Sequence, residues 1–359
     1  VKILALQLKR IGDLVLTTAA LRTLCATFPK AHVGLGVAEG NASLLPAISG
    51  IDSAIVFGRG RGFAPWQQVL AGGWDVALDF TGTDRSAFAT ALSRAQRRVT
   101  FQWVRKSWMR SLAYNEFVDS AVRERHTAEH YLDLGWKVRP VLKTARPPHE
   151  TIASGAVGEL REFANPAPWS LPDLKLPDTA RAKVLTLLRE AGVPGSFALI
   201  HPGTAREDKY WSADRWVEVI DHLQEQRGLP CVISGGSDPF EHAHLAAIQS
   251  ATKHPPINLA GQTDLLDLAA LAEQARLVVS CDTGVVHLAS AFCTPQVVLY
   301  GPINPFHWRP QHERAVVLSA AHPDAPLTEF DPRMKGAPME RISTAVVIRA
   351  TEHILAAST

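Results

Sequence analysis

Short, mainly apolar runs alternate along the chain with longer stretches in which apolar positions recur every three or four residues. In the first third the runs KILALQL (2–8), AHVGLGV (31–37), SAIVF (53–57), WDVALDF (74–80) and RRVTF (97–101) predict strands. Between the first two, Leu14, Thr18, Leu21, Cys25 and Phe28 fall at helical spacing and predict an amphipathic helix. A second series runs through FALIHPG (197–203), PCVISGG (230–236), PINLAG (256–261), RLVVSCD (276–282) and PQVVLYG (295–301), with helices predicted at 212–227, 239–250, 264–274 and 284–292. Short strands that are apolar along most of their length belong to parallel sheets covered on both faces, and their crossovers need helices. The proline-rich region 139–180 interrupts this pattern and reads as a linker. The expected fold is α/β: two doubly wound, Rossmann-like domains whose parallel sheets face each other across a cleft.

Composition agrees with that size, since 359 residues with 46% apolar and 20% charged positions can bury about two cores. The opening run VKILALQL stops at Lys9-Arg10, too short for a membrane span and unlike a signal peptide, so a cytosolic location is expected. Cys25, Cys231, Cys281 and Cys293 form no CxxC pair, which argues against a disulfide frame or a zinc site and predicts buried, reduced thiols. The net charge of +2 conceals an asymmetry: residues 1–165 hold 21 Lys+Arg against 14 Asp+Glu, whereas residues 166–359 hold 16 against 21. The excess lies in GRGRG (58–62), RAQRR (94–98), WVRKSWMR (103–110) and RER (123–125), and such a half suits an anionic partner.

Ligands of open parallel sheets bind beyond the carboxyl ends of the strands. No GxGxxG spacing and no GxxxxGK[ST] occurs there, which disfavours dinucleotide dehydrogenases and P-loop enzymes. Three other loops carry chemistry at such positions. In KRIGD (9–13), Asp13 stands at a helix start, where a carboxylate serves either as an N-cap or as a general base reaching into the cleft. In HPGTAREDKYWSADRW (201–216), Thr204, Arg206 and Lys209 suit a diphosphate, or else form a surface patch with Glu207 and Asp208. In SCDTGVVHLASAF (280–292), Val285, Leu288, Ala289 and Phe292 make the buried stripe, while Thr283 and His287 share another face. Asp282, Thr283 and Gly284 then stand where free amides and the positive helix end form a phosphate seat.

These loops, with KILALQLKRIGDLVLTTAALRTL, ISGGSDPFEH and NLAGQTDLLDLAALAEQARLVVSCDTGVVHLASAFCTPQVVLYGP, resemble the ADP-heptose:lipopolysaccharide heptosyltransferases, family-nine glycosyltransferases of the GT-B fold. The resemblance spans roughly the whole chain, and DTGxxHLAxAxxxPxVxLYGP is its most specific part. It implies an acceptor domain (1–165), a nucleotide-sugar domain (166–335) and a C-terminal helix (336–359) packing back on the first domain. An inverting, metal-independent transfer is implied, from an ADP-heptose or similar donor to an anionic lipid-linked or lipopolysaccharide-core glycan. No cofactor, metal or nucleic acid is implied, and peripheral association with the inner face of the inner membrane is.

By the same resemblance Asp13 would be the base and Lys209 would stabilise the leaving diphosphate, oriented by Glu207 and Asp208. Thr204 would contact the phosphates, and Asp282, Thr283, Gly284 and His287 would line the donor pocket. Gly235 and Gly236 precede a ribose-binding acid, Asp238 or Glu241, and Gln262 would lie at the adenine edge. Acceptor contacts fall on Lys9, Arg10, Arg59, Arg61 and Arg105, with Arg97, Arg98, Lys106 and Arg110 in a wider basic set. Lys9-Arg10 stands where many members carry small polar residues before the Gly-Asp. Two rival readings are a GT-B nucleotide-sugar epimerase, which would need no acceptor, and a non-catalytic sugar-nucleotide or glycan-binding protein.

Overall fold

The apolar runs pair into two parallel sheets in a computed structural model that describes residues 1–138, 171–193 and 195–357. The first sheet contains β1 (Lys2–Gln7), β2 (His32–Ala38), β3 (Ser53–Phe57), β4 (Val76–Asp79), β5 (Arg97–Phe101) and β6 (Glu116–Val118). Its helices are α1 (Ile11–Thr27), α2 (Ala64–Ala71), α3 (Asp84–Leu92), α4 (Trp108–Ser111) and α5 (Thr127–Lys137). After α6 (Asp178–Glu190), the second sheet contains β7 (Ala198–His201), β8 (Cys231–Ile233), β9 (Ile257–Asn258), β10 (Leu277–Cys281), β11 (Gln296–Tyr300) and β12 (Ala315–Ser319). It is covered by α7 (Ala213–Arg227), α8 (Pro239–Ala251), α9 (Leu265–Gln274), α10 (Gly284–Ala291) and α11 (Thr344–Ala357).

The spatial orders are β3-β2-β1-β4-β5-β6 and β12-β11-β10-β7-β8-β9. Read from its other edge, the second sheet repeats the first, and both have the 3-2-1-4-5-6 order of dinucleotide-binding folds. The order therefore reverses between β1 and β4 in one sheet and between β7 and β10 in the other. Loops leaving these strands diverge to opposite faces and open a crevice at the carboxyl edge. Ile3, Leu4, Ala5 and Leu6 of β1 and Leu277, Val278, Val279 and Cys281 of β10 are fully buried, which is why these runs carry no polar alternation. The pattern missed β6 and β12, which are edge strands paired on one side only.

Two expectations need correction. The C-terminal helix α11 packs on α7, β11 and β12 of the second domain, not back on the first. Its Val346, Val347, Ala350, Ile354 and Leu355 share one apolar core with Trp211, Trp216 and Ile220, a stripe at helical spacing matched to the nearest uncovered sheet face. The cysteines are free, as expected, but only Cys231 and Cys281 are buried, Cys25 and Cys293 being half-exposed.

Part of the proline-rich region is ordered against the first domain: the Lys175 amide donates to the Ala47 carbonyl at 2.8 Å and the Asp173 amide to Thr18 Oγ1 at 2.8 Å. The rest of it, and with it the expected boundary at 165/166, lies outside the described residues. Among the described residues no helix is long and apolar enough to cross a membrane.

Candidate active site

Helices α1 and α10 leave the central strands of their sheets, and their first turns meet. A Cβ added to Gly12 would fall 2.7 Å from His287 Cδ2, and one added to Gly284 would fall 2.2 Å from Ile11 Cγ2. Both glycines are needed because two helix starts approach closely here, which brings the two switch points together across the domain boundary. KRIGD and CDTG, far apart in sequence, become neighbours.

Asp13 lies in the first turn of α1, whose N-cap position is Arg10 with no side-chain cap. The capping alternative is therefore not what the carboxylate does. It is 8% exposed and accepts a 2.5 Å hydrogen bond at Oδ1 from the Tyr131 hydroxyl of α5. Lys9 Nζ stands 3.9 Å from the same oxygen. Gln7 secures the turn beneath, donating at 2.8 Å to Thr17 Oγ1, which donates in turn to the Asp13 carbonyl at 2.7 Å. Burial and the Asp13 charge together push the Tyr131 phenol well above its ordinary pKa, so it stays protonated and donates its proton to the Asp13 hydrogen bond.

Across the junction, Lys209 lies in the loop after β7 and reaches Asp282 after β10, Nζ lying 2.6 Å from Oδ2 and 3.3 Å from the main-chain carbonyl. This corrects the expected orienting pair, because Asp208 is ion-paired to Arg206 and Lys209 is aimed by Asp282 instead. An ammonium has three donors, so two bonds to Asp282 leave one for a ligand. Thr283 Oγ1 and His287 Nδ1, on the first turn of α10, are buried with no partner among the described residues. Burying a polar atom unpaired costs about 1–3 kcal/mol, which makes this turn a candidate seat for a polar ligand. Burial lowers the His287 pKa while Asp282 and Asp13 oppose the shift, so the ring lies within the field of both carboxylates.

Asp238 and Glu241 have different surroundings. Asp238 is the N-cap of α8, its Oδ1 accepting from the Phe240 amide at 2.9 Å. Glu241 lies one turn on, with its carboxylate against three glycines: added Cβ atoms at Gly203, Gly235 and Gly236 would fall 1.7, 2.7 and 3.0 Å from its oxygens. The glycines after β7 and β8 thus make room for that carboxylate at the sheet's carboxyl edge. Thr204 accepts from the Arg206 amide at 3.4 Å on the same edge. Gln262 is exposed and folded back, its amide donating to the Asn258 carbonyl at 2.9 Å.

The basic set divides. Lys9 joins Asp13, and Arg105 lies 4.2 Å over the Phe117 ring beside a cavity of about 480 Å³ that Lys106 also lines. Arg10 and Arg59 are exposed, and Arg61 pairs with Glu39 at 3.3 Å. Arg97, Arg98 and Arg110 do not join a shared patch. Arg97 is bidentate to Glu116, Arg98 donates to the carbonyls of Ala113 and Ala95, and Arg110 pairs with Asp84 at 2.6 Å. Charge runs show where cations are plentiful, and only folding reveals the carbonyls and carboxylates that claim them.

Sequence reasoning missed Tyr131 and the contacts that hold the domains beside it. His126 Nε2 donates to the Arg309 carbonyl at 3.0 Å and His307 Nδ1 to the Arg125 carbonyl at 2.9 Å, tying the start of α5 to the segment 305–309. His126 is held neutral, its pKa pushed well below the ordinary value by burial and then by Arg309. None of these residues sits in a recognisable motif.

Two Rossmann-like domains with their switch points abutted, a buried carboxylate on one and a cationic, amide-rich helix start on the other, define a GT-B protein. The family model described as "Glycosyltransferase family 9 (heptosyltransferase)" matches residues 63–336, and the chain belongs to that family. Among its relatives, lipopolysaccharide heptosyltransferase 3 of Escherichia coli K12 is 31% identical over 165 residues, 46% of this chain and 48% of that protein. The chain thus spans about half the length of the first curated relatives it matches. Lipopolysaccharide heptosyltransferase 1 of Salmonella typhimurium is 26% identical over 307 residues, 85% of this chain and 89% of that protein. The same fold is seen in a family-nine glycosyltransferase from Veillonella parvula (TM-score 0.78, 21% identity, 99% and 97% of the two chains). It is seen also in the E. coli ADP-heptose heptosyltransferase II (TM-score 0.77, 20% identity, 99% of each chain).

Proposed function

We propose that the chain transfers a heptose, with inversion and without a metal, from ADP-heptose to a lipopolysaccharide-core acceptor. The observation that carries this reading is the convergence of Asp13 with the Lys209–Asp282 pair and the unpartnered Thr283 and His287 atoms at abutted switch points. Family membership supports the sugar class, and the fold neighbour E. coli WaaC was solved with ADP. The donor diphosphate would sit on the first turn of α10, with Lys209 on its oxygens, Thr204 nearby and the ribose over Glu241. The acceptor would enter from the first domain, past Lys9, Arg10, Arg59, Arg61 and Arg105. Because such an acceptor is lipid-linked, the enzyme would work as a peripheral protein on the inner face of the inner membrane.

In the transfer, the acceptor oxygen bonds to the anomeric carbon as its proton passes to Asp13, whose Oδ1 is engaged by Tyr131, leaving Oδ2 to receive it. The anomeric bond to the diphosphate breaks on the opposite face, and its electron pair leaves with the diphosphate. Lys209 and the α10 amides stabilise that charge, the role a divalent cation would otherwise fill.

The test is a thermal-shift comparison, since a ligand that binds only the folded chain stabilises it by mass action. ADP and ADP-heptose should raise the melting temperature, UDP should do so less, and Lys209→Ala should reduce the ADP shift. Equal shifts with UDP and ADP would remove the adenine assignment. No shift with any nucleotide would remove the donor site.

A further inference from the structure

Between β5 and β6 the chain turns three large apolar side chains outward within five residues: Trp108 is 73% exposed, Met109 67% and Leu112 73%. Single exposed apolar residues are ordinary, whereas a cluster of this kind marks a contact surface. The turn is firmly built. Val104, Ala113 and Tyr114 pack inward against Ala87 of α3, and Arg110 ties the turn to Asp84 and, at 3.3 Å, to the Gly82 carbonyl. The inward residues stand at both ends of the exposed segment, so packing at its two ends holds the exposure in place. Phe88, 58% exposed, lies on α3, which packs against α4.

Charge accompanies the apolar cluster. Lys106 and Arg105 are exposed immediately before Trp108, and both line the open cavity of about 480 Å³ together with Ser120, Val122 and one acid, Asp119. Lys106 forms no ion pair among the described residues.

We propose that residues 105–112 form an interfacial anchor that inserts Trp108, Met109 and Leu112 at the headgroup–acyl boundary of a bilayer containing anionic phospholipid, with Lys106 and Arg105 on the lipid phosphates. Tryptophan beside basic residues is the composition that settles at this boundary. Charge complementarity favours a bilayer, because the domain that bears the anchor is the one with excess cations and each cation near an anionic surface adds to binding. A stable protein interface needs about 800 Å² from each partner, far more than three side chains offer, whereas interfacial insertion adds side chain by side chain. Position also fits. The anchor follows the carboxyl end of β5, the same sheet edge from which the Asp13 loop leaves β1, and Lys9 Nζ lies 6.0 Å from the Trp103 ring centroid. Docking there would hold the base towards an acceptor whose lipid stays in the membrane. The inference deepens the proposed function, yet vesicle binding needs neither donor nor turnover, so the two can fail separately.

The experiment is flotation of the whole chain with phosphatidylcholine vesicles, with and without phosphatidylglycerol. The wild type should float with the anionic vesicles, weakly with the neutral ones and less in high salt, and Trp108→Ser/Met109→Ser/Leu112→Ser should lower the partition on the order of tenfold. The melting temperature of the triple variant should stay at the wild-type value, since the replaced side chains are exposed. Lys106→Glu should weaken flotation on anionic vesicles alone. Failure of the wild type to float on either composition, or a folded triple variant that floats like the wild type, would overturn the proposal. Flotation that appears only when lipopolysaccharide-core glycan is added would overturn it in favour of glycan recognition.

Discussion

The Tyr131 hydroxyl donates to Asp13 Oδ1 at 2.5 Å, joining the first turn of α1 to the middle of α5 across 118 residues of sequence. Tyr131 is buried between Phe80 and Phe101, ring centroids 5.7 and 6.3 Å away, so its hydroxyl has little freedom to point elsewhere. It engages Oδ1 and leaves Oδ2 for the proposed proton transfer. Tyr131→Phe keeps the packing and removes the bond, so kcat should fall about tenfold at unchanged donor KM, a cost near 1.4 kcal/mol. Asp13→Asn should lower kcat by roughly 10²–10⁴-fold with donor binding intact. A full-rate Asn variant would show that Asp13 is not the base, and a full-rate Phe variant that its orientation does not need Tyr131.

Asp238 and Glu241 should separate by phenotype. Asp238→Ala removes the cap of α8 and should cost about 1 kcal/mol of stability while leaving donor KM close to wild type. Glu241→Gln keeps the size of the side chain in its glycine cradle but removes the charged acceptor, and should raise donor KM with little change in melting temperature. The reverse assignment of the two effects would move the ribose contact to Asp238.

Gly284→Ala tests the junction of α1 and α10. An alanine usually favours a helix over glycine by about 1 kcal/mol, but here its Cβ would meet Ile11 Cγ2 at 2.2 Å. Overpacking of that kind costs about 1–3 kcal/mol, so the clash outweighs the propensity and the melting temperature should drop. Ile11→Ala in the same chain should recover part of the loss, which a double-mutant cycle would read as coupling between the domains. Simple additivity of the two changes would argue against contact at this point.

Acid sensitivity should come from buried histidines. Burial pushes His130 and His201 down to about 4, from an ordinary value near 6.5. Between those pH values the unfolded chain binds more protons than the folded one, so stability is complete above pH 6.5 and falls as pH drops towards 4, on the order of 2–3 kcal/mol for each group. The urea midpoint should therefore be lower at pH 5 than at pH 7. His130→Gln, though less stable at pH 7 for want of the bonds to Ser120 and Val122, should show a shallower slope. A midpoint constant from pH 7 to 4.5 would contradict the buried, neutral state.

What the sequence determined by itself was whatever can be written within about ten residues. Mainly apolar runs such as LVVSC and QVVLY specify buried parallel strands, and the stripe Val285, Leu288, Ala289 marks a core-facing side of α10, a helix that tertiary packing buries on its other sides too. The sequence also placed Asp13, Lys209, Asp282, Thr283 and His287 at strand ends, because in an alternating β/α chain the polar residues after an apolar run must lie on that edge. Tertiary structure decided which of these residues meet. The Lys209–Asp282 pair spans 73 residues and exists because β7 and β10 are neighbours, while Tyr131 reaches Asp13 because α5 packs on α1. It also decided which cations are already claimed, giving Arg97 to Glu116 and Arg110 to Asp84, and it gave α11 to the second domain. Periodicity records whether a side chain faces a core or water. Its partner depends on strand order and helix docking, which are properties of the whole chain.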